Sequence, residues 1–348
     1  MKHNIRDVAQ RPPSSTATVS RVLNGVRCVK LQTAANVRPL AEELRCHPSS
    51  RVPALASKSS AVLGLIISDI ANPFFPELWK SFQISSVNAG YEVLIAHTNY
   101  RPERLAVSVR QMIEQQVDGL AIMTSEVAPR LMDEWPRTRL PMVFLDVGKR
   151  RSLISNISVD YTKGIREAVQ HVVALGHERI GFISGPLTLK SARSRRSAFL
   201  TCVAECGIVQ NAVVIAGNHQ VSGGYRTMTS MLSLAPRTTA VLCSNDLTAI
   251  GALHAMNFHG FQVPDDISLV GFDDIALSEY TQPSLTTIRL SRVELGQRAF
   301  EALVRNLDGH GTNGAEIRIG TSLVVRHSTG AVNRTAYNRR PGRSSLLH

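Results

Sequence analysis

"AVLGLIISDIANPFFPELWKSFQISSVNAGYEVLIAH", residues 61 to 97, opens on an apolar run, passes through a stretch whose apolar positions fall three and four apart, and closes on another apolar run. Those two periods predict a strand, a helix and a second strand. The rhythm continues in "DGLAIMT", "PMVFLDV", "RIGFISG", "VVIAG", "TAVLCSND" and "ISLVGFDD", with helical patterns such as "RLAVSVRQMIEQQV" among them. Continuous apolar strands separated by helices predict parallel sheets covered on both faces. The strands form two groups, before and after about residue 161, which predicts two doubly wound lobes with a ligand between them. Polar residues follow the runs directly: Asp69 and Asn72, His97, Asp146, Asn245 with Asp246, and Asp273 with Asp274. In open parallel sheets ligands gather beyond the carboxyl ends of the strands, so these side chains predict a cleft.

The sixty residues before this texture read differently. "NIRDVAQ" and "STATVSRVLN" each carry helix signals, with Asn4 and Ser15 as candidate caps. Val8, Ala9, Val19, Val22 and Leu23 supply a stripe to pack the two, and "TAANVRPLAEEL" adds Val37, Leu40, Ala41 and Leu44. Three small helices on one tiny core predict a helix-turn-helix unit, whose second helix would present Thr16, Ala17, Ser20 and Arg21 to a major groove.

Charge agrees with that direction. The chain of 348 residues has a formal net charge of +12, and residues 1 to 60 hold ten Lys/Arg against Asp7, Glu42 and Glu43, a net +7. Residues 61 to 329 are near balance at +1, and the tail from Gly330 carries four arginines and no acid. Basic side chains at the N-terminal end would displace counterions from phosphates, which predicts a nucleic-acid partner. The basic tail reads as a disordered, solvated extension. A composition of 43% hydrophobic and 19% charged residues is that of a globular protein, and no apolar run approaches a membrane span. "MKHNIRDVAQ" lacks the apolar core of a secretory signal, so a cytoplasmic location is expected. Cys28, Cys46, Cys202, Cys206 and Cys243 form no zinc-like pairs, so neither metal nor cofactor is expected.

With "IRDVAQ…TATVSRVLN", "ISDIANPFF", "NAGYEVLIA", "VDGLAIM", "LGHERIGFISGP", "SARSRRSAF", "SNDLTAIGAL", "VPDDISLVGFDDI" and "PSLTTIRL" in order, the chain resembles the lactose-repressor (LacI/GalR) family of bacterial transcription regulators from about residue 4 to 329. The resemblance implies a helix-turn-helix headpiece over 1–48, a hinge over 49–60, and a two-lobed sensor domain over 61–329 related to periplasmic sugar-binding proteins. The tail follows over 330–348. In that scheme lobe 1 spans about 61–160 and 290–318, and lobe 2 about 161–289 and 319–329. Members are usually homodimers, some pairing into tetramers, and bind near-palindromic operators.

Carried over by position, Thr16, Ala17 and Arg21 would face base edges, and Thr18, Ser20 and Asn24 would hold phosphates. Arg21 is the direct-readout candidate, since a guanidinium can bond a guanine edge with two hydrogen bonds. Leu55 falls where the family wedges a leucine into a minor-groove step, which kinks the duplex. In the sensor domain the matching positions are Asn72, Phe74, Phe75, Asp146, Arg195, His219, Asn245 and Asp273. Carboxylates, amides and an arginine suit vicinal hydroxyls, and aromatics cover apolar faces, so a sugar-like effector is implied. Asp146-Val147 stands where many relatives have Asp-Arg, Leu290 where they often have glutamine, and His219 where an aromatic commonly stacks. These departures point to an effector that differs from a simple pentose or is less polar.

Two other functions compete. An enzyme is disfavoured because no GxGxxG follows the first strand and neither GxxxxGK[ST] nor GxSxG occurs. A solute-binding module for import conflicts with the basic headpiece. The headpiece itself departs from the family at its joint, where Pro12-Pro13-Ser14-Ser15 replaces the usual Ala-Gly-Val-Ser. Pro13 is locked near a φ of about −65° where glycine is free to turn, so a rebuilt turn and looser headpiece are expected. Pro39 in the third helix and Pro53 in the hinge raise the same concern.

Overall fold

The computed structural model describes Val8, Ser15, Thr18, Val19, Val22, residues 29–44, 60–124, Glu126, 139–146, 151–235, 237–308 and 313–333. Thr16, Ala17, Ser20, Arg21, Asn24 and Leu55, together with Pro12, Pro13 and Pro53, lie outside the described residues. The chain forms two compact units, Met1–Val62 and Leu63–His348.

In the first unit Val8, Val19, Val22, Val37 and Ala41 are buried together. The amide of Thr18 donates to the Ser15 hydroxyl at 3.2 Å and that of Val19 to the Ser15 carbonyl at 3.1 Å, so Ser15 acts as a helix cap. Helix α1 (Leu31–Glu43) runs on through Pro39. Proline in a helix interior can cost about 3 kcal/mol, and burial of Val37 and Ala41 on either side opposes that cost.

The second unit alternates as its sequence predicts: β1 (Val62–Ile67), α2 (Phe74–Asn88), β2 (Glu92–His97), α3 (Pro102–Glu114), β3 (Gly119–Met123), β4 (Met142–Leu145) and β5 (Ile154–Asp160). There follow α4 (Tyr161–Ala174), β6 (Ile180–Ser184), α5 (Lys190–Glu205), β7 (Val213–Ala216), α6 (Val221–Leu232), β8 (Ala240–Cys243), α7 (Asp246–Phe258) and β9 (Ser268–Asp273). The unit closes with β10 (Thr286–Leu290), α8 (Arg292–Leu307) and β11 (Glu316–Val324). Every residue of β3, β4, β6, β8 and β9 is buried, as expected of strands with helices on both faces. No helix among the described residues is long and apolar enough to cross a membrane.

The strand order is β2-β1-β3-β4-β5-β11-β10-β9-β8-β6-β7, one continuous series. The two sheets expected from the sequence are present, but they are joined through β11, and the second is mixed rather than all parallel. β11 is nine residues long and serves both lobes: Glu316–Gly320 pair parallel with β5, and Thr321–Val324 pair antiparallel with β10. The switch is pinned at Thr321, whose hydroxyl accepts from Gly164 N at 2.9 Å and donates to Asp160 O at 2.6 Å. A side chain at Gly164 would strike Ile288 and Thr321, so glycine is what lets α4 approach this crossing. The chain thus passes between lobes near residues 160, 290 and 320, and the strand ends of both lobes meet across one cleft.

Candidate functional site

The strands deliver their ends to a cleft lined by Ser68, Asn72, Phe74, Phe75, Tyr100, Met123, Thr124, Leu145 and Leu290 from lobe 1 and the nearby crossing, and by Tyr161, Ser191, Arg195, His219, Asn245 and Asp273 opposite. It holds about 490 Å³ of open space, the solvent-facing mouth included, a size suited to a small molecule. Asn72, Phe74, Phe75, Arg195, His219, Asn245 and Asp273 of the expected set are brought together on these walls. Asp146 is not.

Lobe 2 carries the charge. Arg195 on α5 is buried, and its guanidinium carbon lies 3.9 Å from the centroid of Phe272 and 5.1 Å from that of Tyr161, in cation–π range of both rings. One terminal nitrogen donates to Ser244 O and the other reaches Asp273 Oδ1 at 3.3 Å. Only Nε remains buried without a partner among the described residues. The fork expected for a ligand is therefore largely spent within the protein, where it orients Asp273. Burial pushes the Asp273 carboxyl up to about 6, with Arg195 and Arg292 pulling the other way.

His219 faces the same space. Its imidazole lies against Gly185, where an added Cβ would stand 1.7 Å from Nε2. Burial, then the Arg195 charge, push it down to about 3, so the ring is neutral at physiological pH, and Nε2 is buried without a partner among the described residues. Tyr100 meets it edge-on from lobe 1 at 6.1 Å between centroids. His219 has φ 63° and Asp273 φ 106°, backbone regions that L-residues seldom occupy and that collect at binding sites.

Asn245 has a capping role as well as a place on the wall. Its Oδ1 accepts from Thr248 N at 2.9 Å and from the Thr248 hydroxyl at 2.6 Å, capping α7, and its Nδ2 donates to His219 O at 3.0 Å. One N–H is left for a ligand. On lobe 1, Asn72 Oδ1 accepts from Phe74 N at 3.1 Å, which starts α2 and turns Phe74 and Phe75 to the cleft, 5.2 Å apart and edge-to-face.

Asp146 stands behind the wall. Its carboxylate accepts from the Tyr161 hydroxyl at 2.5 Å and from Val159 N at 3.0 Å, and its carbonyl accepts from Lys190 Nζ of the opposite lobe. It positions Tyr161 and ties the lobes together, with burial raising its pKa. On the far side of the cleft Arg292 bonds Glu77 at 2.7 Å and the carbonyls of Asp273 and Asp274, a second tie between lobes. Tyr161, Tyr100, Ser68, Met123, Thr124, Leu145 and Ser191 line the cleft without having been singled out from the sequence. Tyr161 follows β5, "ISNISVD", which is too polar to register as an apolar run.

Among the described residues no group of three or more His, Cys, Asp or Glu could hold a metal ion. Of the two carboxylates expected from the sequence, Asp146 is bonded to Tyr161 behind the wall and Asp273 to Arg195.

Comparison with known proteins gives the cleft its context. Residues 169–329 match the model of a periplasmic binding protein-like domain. The chain is 31% identical over 331 residues to the HTH-type transcriptional repressor PurR of Photobacterium profundum, covering 94% of this chain and 99% of that protein. PurR of Proteus mirabilis is 32% identical over 93% of this chain and 96% of its own length. Among solved structures, a lac repressor dimer bound to operator and the anti-inducer ONPF superposes with a TM-score of 0.81 at 29% identity, covering 95% of this chain and 100% of that one. With a repressor aligned over nearly its full length and this cleft between two crossed-over lobes, the chain belongs to the LacI/GalR family of ligand-responsive transcription regulators.

Proposed function

We propose that the protein is a repressor that binds a near-palindromic operator as a homodimer and senses a small sugar-like effector in the interlobe cleft, in the cytoplasm. The observation that carries the effector part is the convergence of Arg195, Asp273, His219 and Asn72 on one cleft walled by Phe74 and Phe75. Paired donors and acceptors suit hydroxyls, while the aromatic wall suits an apolar ring face. Met123, Leu145 and Leu290 extend the apolar part, which favours an effector less polar than a simple pentose. Asp146 serves this site through Tyr161 and Lys190 rather than by touching the effector.

The DNA-binding part rests on the +7 charge of residues 1–60, the Ser15 cap and the shared core of Val8, Val19, Val22 and Val37. In this reading residues 1–48 form a helix-turn-helix headpiece, 49–60 a hinge, 61–329 the sensor and 330–348 a basic tail. Thr16, Ala17 and Arg21 read bases, Thr18, Ser20 and Asn24 hold phosphates, and Leu55 wedges the minor groove. Effector binding changes lobe closure and thereby operator affinity, and by linkage operator must change effector affinity by the same factor.

Selection of bound duplexes from a random pool, repeated with a sugar panel, tests both parts. Enrichment of a two-fold symmetric sequence that a panel member strengthens or weakens is expected. No enrichment with or without sugar would overturn the DNA-binding reading.

A further inference from the structure

Glu126, just past β3, is 4% exposed. Its backbone N–H donates to the Thr124 hydroxyl at 3.2 Å, and its Oε1 accepts from the Thr98 hydroxyl at 3.3 Å. Ser68 also hydrogen-bonds the carboxyl. Ser68 and Thr124 both line the cleft, so Glu126 stands directly behind that wall. Its Oε2 is buried without a partner among the described residues.

A buried carboxylate is ordinarily matched by a cation. Here hydroxyls and its own amide hold the group, and no described Lys, Arg or His forms an ion pair with it. Nor do the other described cations near the cleft offset it: Arg195 is already matched by Asp273, Arg292 by Glu77, and Lys190 sits on the carbonyl of Asp146 beside that carboxylate. His219 is neutral. Among the described residues no cation is paired with Glu126, so an effector in this cleft meets its negative charge from behind the Ser68–Thr124 wall, and like charges repel.

We propose that Glu126 is a specificity-determining residue of the effector cleft, which selects an uncharged or cationic sugar-like ligand against an anionic one. The proposal rests on the effector reading of the cleft. Ser68 and Thr98 hold the carboxyl in place, and Phe74, Phe75 and Met123 line the cleft beside Ser68 and Thr124.

The test uses ring-matched series that differ in charge: D-glucose and D-galactose, their uronates, and their 2-amino-2-deoxy derivatives, titrated calorimetrically into the full-length protein at pH 7. In any series that binds, the uronate is expected to bind at least tenfold more weakly than its parent hexose, and the amino sugar at least as well. Glu126→Gln and Glu126→Met should each shrink the hexose-to-uronate ratio at least fivefold. A uronate that binds the unmodified protein as tightly as its parent overturns the proposal without any variant and leaves the effector reading intact. A ratio unchanged in a folded variant overturns it as well. If no member of either series binds, the sugar-effector reading fails and this proposal falls with it.

Discussion

The two walls of the cleft are built on opposite principles. Lobe 2 presents Arg195, Asp273, His219 and Asn245, each fixed by partners within its own lobe, two of them at positive φ. Lobe 1 presents Phe74, Phe75, Met123 and Leu145, with neutral hydroxyls and an amide around them. One wall is a rigid array of hydrogen-bonding groups and the other an apolar cover. A ligand that needs both walls gains its full affinity only when the lobes are closed, and so favours the closed form by the difference.

The largest break in this contrast comes from removing the charge that organises lobe 2. Arg195→Met leaves the buried Asp273 carboxylate without its ion-pair partner, with Arg292 only on its carbonyl, and loss of one partner of a buried pair costs about 3–5 kcal/mol. Urea denaturation should show that loss, and any sugar found to bind should lose its affinity.

Acid attacks the same wall. The His219 imidazole, at about 3 in the fold against 6.5 unfolded, contributes stability that is present above pH 6.5 and disappears as pH falls toward 3. Relative to His219→Asn, the unmodified protein should lose on the order of 3 kcal/mol between pH 7.5 and pH 4, from about 1.4 kcal/mol per unit. Asp273 and Glu126, both raised to about 6, change with pH in the opposite sense, stabilising below their unfolded values and losing that contribution as pH rises through 6. The paired comparison cancels them; parallel stability curves would contradict the burial of His219.

Gly185→Ala tests whether that ring is wedged in place. The new methyl would collide with Nε2, so a loss of about 1–3 kcal/mol is expected from thermal melts. The same change in a His219→Ser background should cost much less.

The smallest effect sharpens the contrast by separating the walls. Lys190→Met removes the bond to the Asp146 carbonyl across the cleft. As an exposed substitution it should alter stability by no more than about 0.5 kcal/mol, yet raise the radius of gyration in solution scattering. An unchanged radius would show that the Lys190 bond is not needed to hold the lobes together.

Much of this site was legible because apolar runs announce buried strands, and the residues after them stand at one edge of the sheet. Asn72, Asn245 and Asp273 were found that way, and Phe74, Phe75, Arg195 and His219 through the resemblance of the surrounding motifs. The junction strands were not legible as runs. β5, β10 and β11 bury Ser155, Asn156, Thr286, Thr287 and Thr321. Each is bonded to a residue distant in sequence, as Asn156 is to Glu316 at 2.7 Å and Thr287 to Asp246 at 2.5 Å. Polar residues satisfied by remote partners mimic exposed ones in a sequence, which hid β5, and with it Tyr161, and hid the joining of the two sheets.

The sequence by itself determined the alternation of strand and helix, the division of charge along the chain, and the set of polar groups delivered to the strand ends. Periodicity and composition are local properties that no folding partner is needed to define. The tertiary structure alone decided which of those groups face the cleft and which are spent. Asp146 and Asn245 look equivalent in the sequence, each a polar residue after an apolar run. In the fold the carboxylate of Asp146 goes to Tyr161 and Val159, its carbonyl to Lys190, and only Asn245 keeps an N–H for a ligand. The reason is that a buried polar group must be satisfied, and the partner that satisfies it is supplied by whichever crossing brings it near.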